Sequence, residues 1–177
     1  MEEIEVPIEH LHKAIEEEAE KSMDNWIMKL ALSSALIAVF AAVCALLAGH
    51  HANEAMINQL KANDQWSFYQ AKGIKSAVAE SKVDLIKALG KAPKKDDVDK
   101  IKRYTREQAE IQKKALEGQK LAEEHLSRHN TLSKGVTLFQ IAIAVSAIAA
   151  LTRRKWLWYG SLVFSLVGLF FLANGLM

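Results

Sequence analysis

Hydrophobic and charged positions along the 177-residue chain fall into separate blocks instead of interleaving. Three runs carry no charge: Leu30 to Gly49 (LALSSALIAVFAAVCALLAG), Gly135 to Thr152 (GVTLFQIAIAVSAIAALT) and Trp156 to Met177 (WLWYGSLVFSLVGLFFLANGLM). They hold 20, 18 and 22 residues. About 20 residues at ~1.5 Å each cross the ~30 Å of hydrocarbon in a bilayer. One charge at mid-helix costs about 2.5–3.5 kcal/mol on an insertion scale. Helices on a soluble core keep a polar face, and these runs have none. The pattern predicts an all-α membrane protein with transmembrane helices at 30–49, 135–152 and 156–177. The first run follows 29 residues that are too many and too acidic for a signal-peptide n-region, so it is expected to be retained as an anchor.

Between the first two runs the pattern turns helical and polar. No proline occurs from His50 to Leu89, and LGKAPKKDD then supplies a stop. Gly90 suits a helix C-cap, Pro93 cannot continue the helix, and Asp96 or Asp97 can cap the next helix. Val98 to Thr131 is again free of proline. Residues 50–134 are therefore predicted to form a long extramembrane antiparallel helical hairpin of coiled-coil type, with its turn near 90–97. Its expected seam is Met56, Leu60, Asn63, Ser67, Gln70, Ile74, Ala77 and Ser81 on the first arm. Val98, Ile101, Thr105, Gln108, Gln112, Ala115, Gln119 and Ala122 form it on the second. Polar residues in such a seam specify register at a cost in stability, so packing against further copies or another protein is expected. Residues 1–29 read as an acidic amphipathic N-terminal helix with Pro7 in its first turn. Ile8, Leu11, Ile15, Ala19, Met23 and Trp26 share one face. Anionic lipid would repel its acidic side, so a protein contact is expected there.

Charge adds a topology. The tail to Lys29 carries nine acidic residues and three lysines, and His50 to Lys134 carries seventeen basic residues and twelve acidic ones. The turn at 153–155 is RRK. Positive charge in short loops marks the cytoplasmic side, which puts the N-terminus in the cytoplasm and the hairpin and C-terminus in the periplasm. Lysines alternate with acids along the helices, a pattern that argues against nucleic acid as a partner.

Candidate chemistry is sparse. The six histidines flank the apolar runs, in GHHANEA (Gly49 to Ala55), in the tail, and in HLSRH (His125 to His129). His125 and His129 share a helical face four residues apart. His51, Glu54, His125 and His129 are therefore the candidate metal ligands. HLSRH lacks the glutamate of a zinc-protease motif. No histidine or charged residue lies inside a run to hold haem or relay protons, so no cofactor and no enzymatic activity are expected. Cys44 is the only cysteine, which rules out an intrachain disulfide. Trp66, Tyr69 and Gly73, in NDQWSFYQAKG, form the candidate protein-contact site, because aromatic side chains are favoured binding anchors. Small residues recur four apart at Ser34, Ala38 and Ala42, and again at Ala142, Ser146 and Ala150, and such rows let helices approach closely. Trp156, Trp158 and Tyr159 read as interfacial anchors.

GHHANEA and NDQWSFYQAKGIK together resemble an uncharacterised bacterial membrane-protein family known only as a domain of unknown function. The resemblance implies a multi-pass protein of the bacterial inner membrane and brings no activity with it. The leading expectation is a non-enzymatic homo-oligomeric scaffold, or an accessory subunit of a membrane complex, acting in the lipid bilayer through its hairpin. An oligomeric channel lined by Ser33, Ser34, Gln140 and Ser146 is the first alternative, and metal binding at the interfacial histidines is the second.

Overall fold

A computed structural model of the chain describes residues 9–21 and 25–176. Among the described residues there are four α-helices and no strand: α1 (Glu9–Lys21), α2 (Asn25–Ala88), α3 (Lys95–Thr152) and α4 (Lys155–Leu176). Pro7, Ile8 and Met23 of the expected N-terminal helix lie outside the described residues, as does the side chain of Ala19. The first apolar run continues without a break into the polar stretch that follows it. It belongs to α2, which has no proline to stop it before Ala88 and absorbs Gly49 and Gly73 at about 1 kcal/mol each. α3 likewise carries a polar stretch and the second run in one piece. α2, α3 and α4 are each long and apolar enough to cross a membrane.

Two turns join these helices, and both end a helix the same way. Gly90 has φ +71°. Its N–H donates to the Lys87 carbonyl at 2.9 Å, and the Lys91 N–H donates to that of Ile86 at 3.1 Å. Arg153 has φ +52°, with Arg153 N–H to the Ala150 carbonyl at 3.3 Å and Arg154 N–H to that of Ala149 at 3.2 Å. This pair of bonds is the Schellman arrangement, which closes the last carbonyls of a helix through one left-handed residue. Glycine takes that conformation freely, while a side chain costs about 1–2 kcal/mol there. The capping expected of Asp96 or Asp97 is corrected: α3 starts at Lys95, so both aspartates lie in its first turn. There they favour the positive end of the helix dipole.

The chain divides into two compact units, Met1–Ala52 with Leu126–Met177, and Asn53–His125. In the first unit α2 buries Ile27, Leu30, Ser34, Ile37, Ala41, Cys44 and Ala48, at alternating steps of three and four. α3 buries the most, with Phe139, Ala142, Ile143, Ser146 and Ala150 among its least exposed residues. The row predicted at Ala142, Ser146 and Ala150 is thus interior. On α2 the four-residue row drifts out, since Ala42 is exposed and Ala41 takes its place. α4 contributes a face of small residues, Ser161, Ser165, Gly168 and Gly175, with Leu172 between them.

Close backbone approach explains the glycines on that face. A Cβ added at Gly168 would lie 2.8 Å from the Phe139 ring, and one at Gly175 would lie 2.5 Å from Leu132. At Gly135 it would lie 3.0 Å from Cys44 Sγ and 3.4 Å from the Gly168 carbonyl, so three helices meet there. Cys44 is fully buried and donates its thiol to the Leu132 carbonyl at 3.2 Å. Large apolar side chains point outward instead, including Leu32, Leu46, Val163, Leu166 and Phe170. α1 docks on the same unit. Ile15 is buried in a cluster with Leu30, Ala147, Ala149 and Ala150, against Leu157 and Trp158. Of the tail's expected apolar face, Leu11, Ile15 and Trp26 therefore meet their own chain.

Two outcomes test this packing. Gly168→Ala should lower the thermal midpoint of the detergent-solubilised protein by the equivalent of about 1–3 kcal/mol. Gly160→Ala, where nothing lies within 4 Å of an added Cβ, should raise it slightly. At the turns, Gly90→Ala should destabilise and Arg153→Gly should stabilise, each by about 1 kcal/mol, in the same melts.

Candidate functional site

The second unit pairs the polar part of α2 with the first half of α3. Its buried positions on α2 are Ala55, Ala62, Ser76 and Val83, with Tyr69 half-buried between them. These five positions are seven residues apart. On α3 Ala115 and Ala122 are buried, and Ile101, Gln108, Ile111 and Gly118 are half-buried. Three contacts fix the alignment. Ala62 lies 3.2 Å from where a Gly118 Cβ would be, Gln108 packs on Gly73, and Lys82 Nζ donates to Asp97 Oδ1 at 2.7 Å. As the α2 number rises, the α3 number falls by nearly the same amount, to within two residues.

The seam expected on the first arm is corrected here. Leu60, Ile74, Ser67, Gln70, Ala77 and Ser81 are exposed, and the face turned to α3 lies about one residue round the helix. Helices that approach this closely select small side chains. Alanine and glycine admit the partner backbone, whereas Leu60 and Ile74 would hold it away. On α3 the expected seam stands at Val98, Ile101, Gln108, Ala115, Gln119 and Ala122, while Tyr104 and Ile111 replace the exposed Thr105 and Gln112.

Of the expected contact patch, Trp66 and Tyr69 stack edge-to-face with centroids 5.4 Å apart. The Tyr69 carbonyl accepts from Gln108 Nε2 at 3.2 Å, and a Cβ on Gly73 would lie 2.7 Å from that same nitrogen. Tyr69 and Gly73 are therefore engaged within the chain, and the exposed aromatic ring of the stretch is Phe68. Beside them Lys72 pairs with Glu107 and lies 5.3 Å from the Tyr104 ring centroid. The Lys72 hydrogen bond holds the Glu107 carboxyl below its ordinary value of 4.5, helped by Arg103 and Lys75 and opposed by partial desolvation. Outward-facing charges on α3 pair along the helix as Asp96–Lys100, Arg106–Glu110, Lys113–Glu117 and Lys120–Glu124. Such pairs stabilise by a few tenths of a kcal/mol each.

The histidines are not assembled as a metal site. Among the described residues no group of three or more His, Cys, Asp or Glu side chains could hold an ion. His51 and His129 belong to the first unit, Glu54 and His125 to the second. His129 Nδ1 donates to the Ala48 carbonyl at 2.8 Å, which leaves Nε2 as an acceptor, 3.5 Å from Ser133 Oγ. His50 and His51 face each other with centroids 5.5 Å apart.

Sequence reasoning missed a polar chain in the first unit that ties three helices together. Ser146 Oγ donates to Ser161 Oγ at 2.9 Å, and Ser161 Oγ donates to the Trp158 carbonyl at 2.8 Å. The Trp158 indole N–H then donates to Ser33 Oγ at 3.1 Å, and Ser33 Oγ donates to the Leu30 carbonyl at 2.8 Å. Trp158, expected as a lipid-interface anchor, is bonded to protein. Ser33 and Ser146, expected to face a pore, are bonded within the unit. Ser34 is also fully buried, and Gln140 is half-buried.

These features define a protein that is all-helical among the described residues, with three helices of membrane-spanning length and composition and a polar two-helix unit. The chain belongs to the family described as a domain of unknown function, DUF4337, whose model matches residues 26–177. No curated protein and no solved structure matches it.

The Lys72–Glu107 pair gives a pH dependence with a fixed sign. Because the folded carboxyl titrates below its ordinary value, the pair's contribution is present above about pH 4.5 and is lost as pH falls through the depressed value. The protection of amides near residues 72 and 107, taken relative to their intrinsic exchange rate at each pH, should therefore fall as pH drops below about 4.5, and Glu107→Gln should remove that dependence.

Proposed function

We propose that this protein is a non-enzymatic integral membrane protein that works as an oligomeric scaffold, or as an accessory subunit of a larger membrane complex. Residues 30–49, 135–152 and 156–177 are its spans, and residues 50–134 form an antiparallel hairpin outside the bilayer. The opposed numbering of the α2 and α3 contacts and the seven-residue spacing of the buried positions support a hairpin of coiled-coil type. The RRK turn supports a cytoplasmic N-terminus with the hairpin and C-terminus in the periplasm, in a bacterial inner membrane.

One observation carries the reading. The polar unit centres its own seam on small residues such as Ala55, Ala62, Ser76, Ala115 and Gly118, and leaves Ile57, Leu60, Ile74, Val78 and Leu85 exposed on α2, outside the apolar run. Lipid can cover the outward leucines of the spans, but in water a file of aliphatic side chains marks a surface for another protein. The serine hydroxyls bonded inside the first unit favour a scaffold over a pore, and the dispersed histidines favour it over a metal-binding protein.

Extraction of the full-length protein from its native membrane in mild detergent, followed by native mass spectrometry, tests the proposal. The expected result is a multimer or a stable assembly with other subunits. Free monomers alone would overturn it.

A further inference from the structure

We infer that α2 carries a second seam, opposite the one that meets α3, and that its occupant is α2 of a second copy of this chain lying parallel to it. The inference rests on the scaffold reading and names the partner of its exposed face.

The seam is read from positions on one helix. Ile57, Asp64, Ala71, Val78 and Leu85 are seven apart, and so are Leu60, Ser67, Ile74, Ser81 and Ala88, three residues further on. All ten are exposed, and the large ones are 42% (Ile57), 59% (Leu60), 66% (Ile74), 64% (Val78) and 63% (Leu85) accessible. Positions repeating every seven with an internal step of three are what one helix presents to another. Lipid or water imposes no such count. In the apolar run of the same helix, the exposed Leu32, Leu36, Val39, Val43 and Leu46 keep the same count in sequence. In the polar unit alone, five large aliphatic side chains at on the order of 80 Å² each offer roughly 400 Å² per copy, about half of what one partner of a stable interface contributes.

Flanking charge chooses the occupant and its direction. One flank of the stripe holds Lys61, Phe68, Lys75 and Lys82, while the other holds Met56, Asn63, Gln70, Ala77 and Asp84. In a parallel pair opposite flanks meet, so each lysine row lies beside an uncharged row that ends in Asp84. An antiparallel pair would set lysines against lysines. Two copies inserted the same way in one membrane can only meet in parallel, which is the arrangement the charges allow. Ser67 and Ser81 supply polar layers of the kind that fix register, and Asp64, which a parallel pair sets beside its own copy, has Lys61 three residues before it to offset that repulsion.

Cysteine scanning of the full-length chain in proteoliposomes tests this, with Cys44→Ala removing the native thiol. Leu60→Cys, Ile74→Cys and Leu85→Cys should each form a disulfide-linked dimer on mild oxidation, at least fivefold above Lys102→Cys and Lys113→Cys on α3. A Leu60→Asp, Ile74→Asp pair of changes should shift native mass spectra toward a smaller assembly with helix content retained. Multimers in native mass spectra without cross-links at 60, 74 and 85, or with stronger ones on α3, would overturn this seam and leave the scaffold standing. Monomers throughout would overturn both.

Discussion

The structure depends on a seven-residue count that α2 and α3 keep without a break. On α2 the buried and half-buried positions 27, 34, 41, 48, 55, 62, 69, 76 and 83 belong to one series, and on α3 so do 101, 108, 115, 122, 129, 136, 143 and 150. An undistorted α-helix drifts by about 20° per heptad against such a count. Within each unit, the same face can meet the same partner only if the helices bend around each other. Apolar and polar stretches obey one geometric rule, although the side chains that satisfy it differ. In the first unit Phe139, Ile143 and Leu132 fill the space, and in the second alanine and glycine remove it.

That difference sets how each unit is held. Close contact through Ala62, Gly118 and Gly73 gives dispersion contact but little buried apolar area, so the second unit leans on polar reinforcement. Gln108 caps the Tyr69 carbonyl, Lys72 pairs with Glu107, and Lys82 pairs with Asp97. Pairs as exposed as Lys82 contribute at most about 1 kcal/mol. The first unit has a larger apolar interior and uses hydrogen bonds differently. The Ser146–Ser161–Trp158–Ser33 chain fixes the rotation of α4, a helix whose apolar residues surround it on every side and cannot orient it alone.

The elements were legible from the sequence, because charge-free runs, a glycine followed three residues later by proline, and a basic triplet each have one local physical cause. Rotation about the helix axis was less legible. On the part of α2 in the second unit, hydrophobicity favours Leu60 and Ile74 for the inner face, but side-chain size decides it, and Ala55, Ala62 and Ser76 go inside. On α3 the two criteria coincide at Ala115 and Ala122, and both residues are buried as the spacing predicts. The α4 face at Ser161, Gly168 and Gly175 carries a visible small-residue repeat of seven that a search for four-residue rows passes over. The bond from Trp158 to Ser33 spans 125 residues and depends on two rotations at once, so no local pattern announces it. For His51, Glu54, His125 and His129, too, depth along the helices can be counted in sequence and facing direction cannot.

A helix that keeps count in sevens is intolerant of changes in its own length. One inserted residue in α2 turns everything beyond it by about 100°, bringing the row of Lys61, Phe68, Lys75 and Lys82 in place of the alanine file on the side that meets α3. Descendants of this chain are expected to vary in length between Ala92 and Lys94, past the Gly90 cap, where no helical register is kept. Elsewhere, growth or shrinkage of the two arms is expected in whole heptads, matched on either side of Gly90, so that indels record the geometry even where individual residues have diverged.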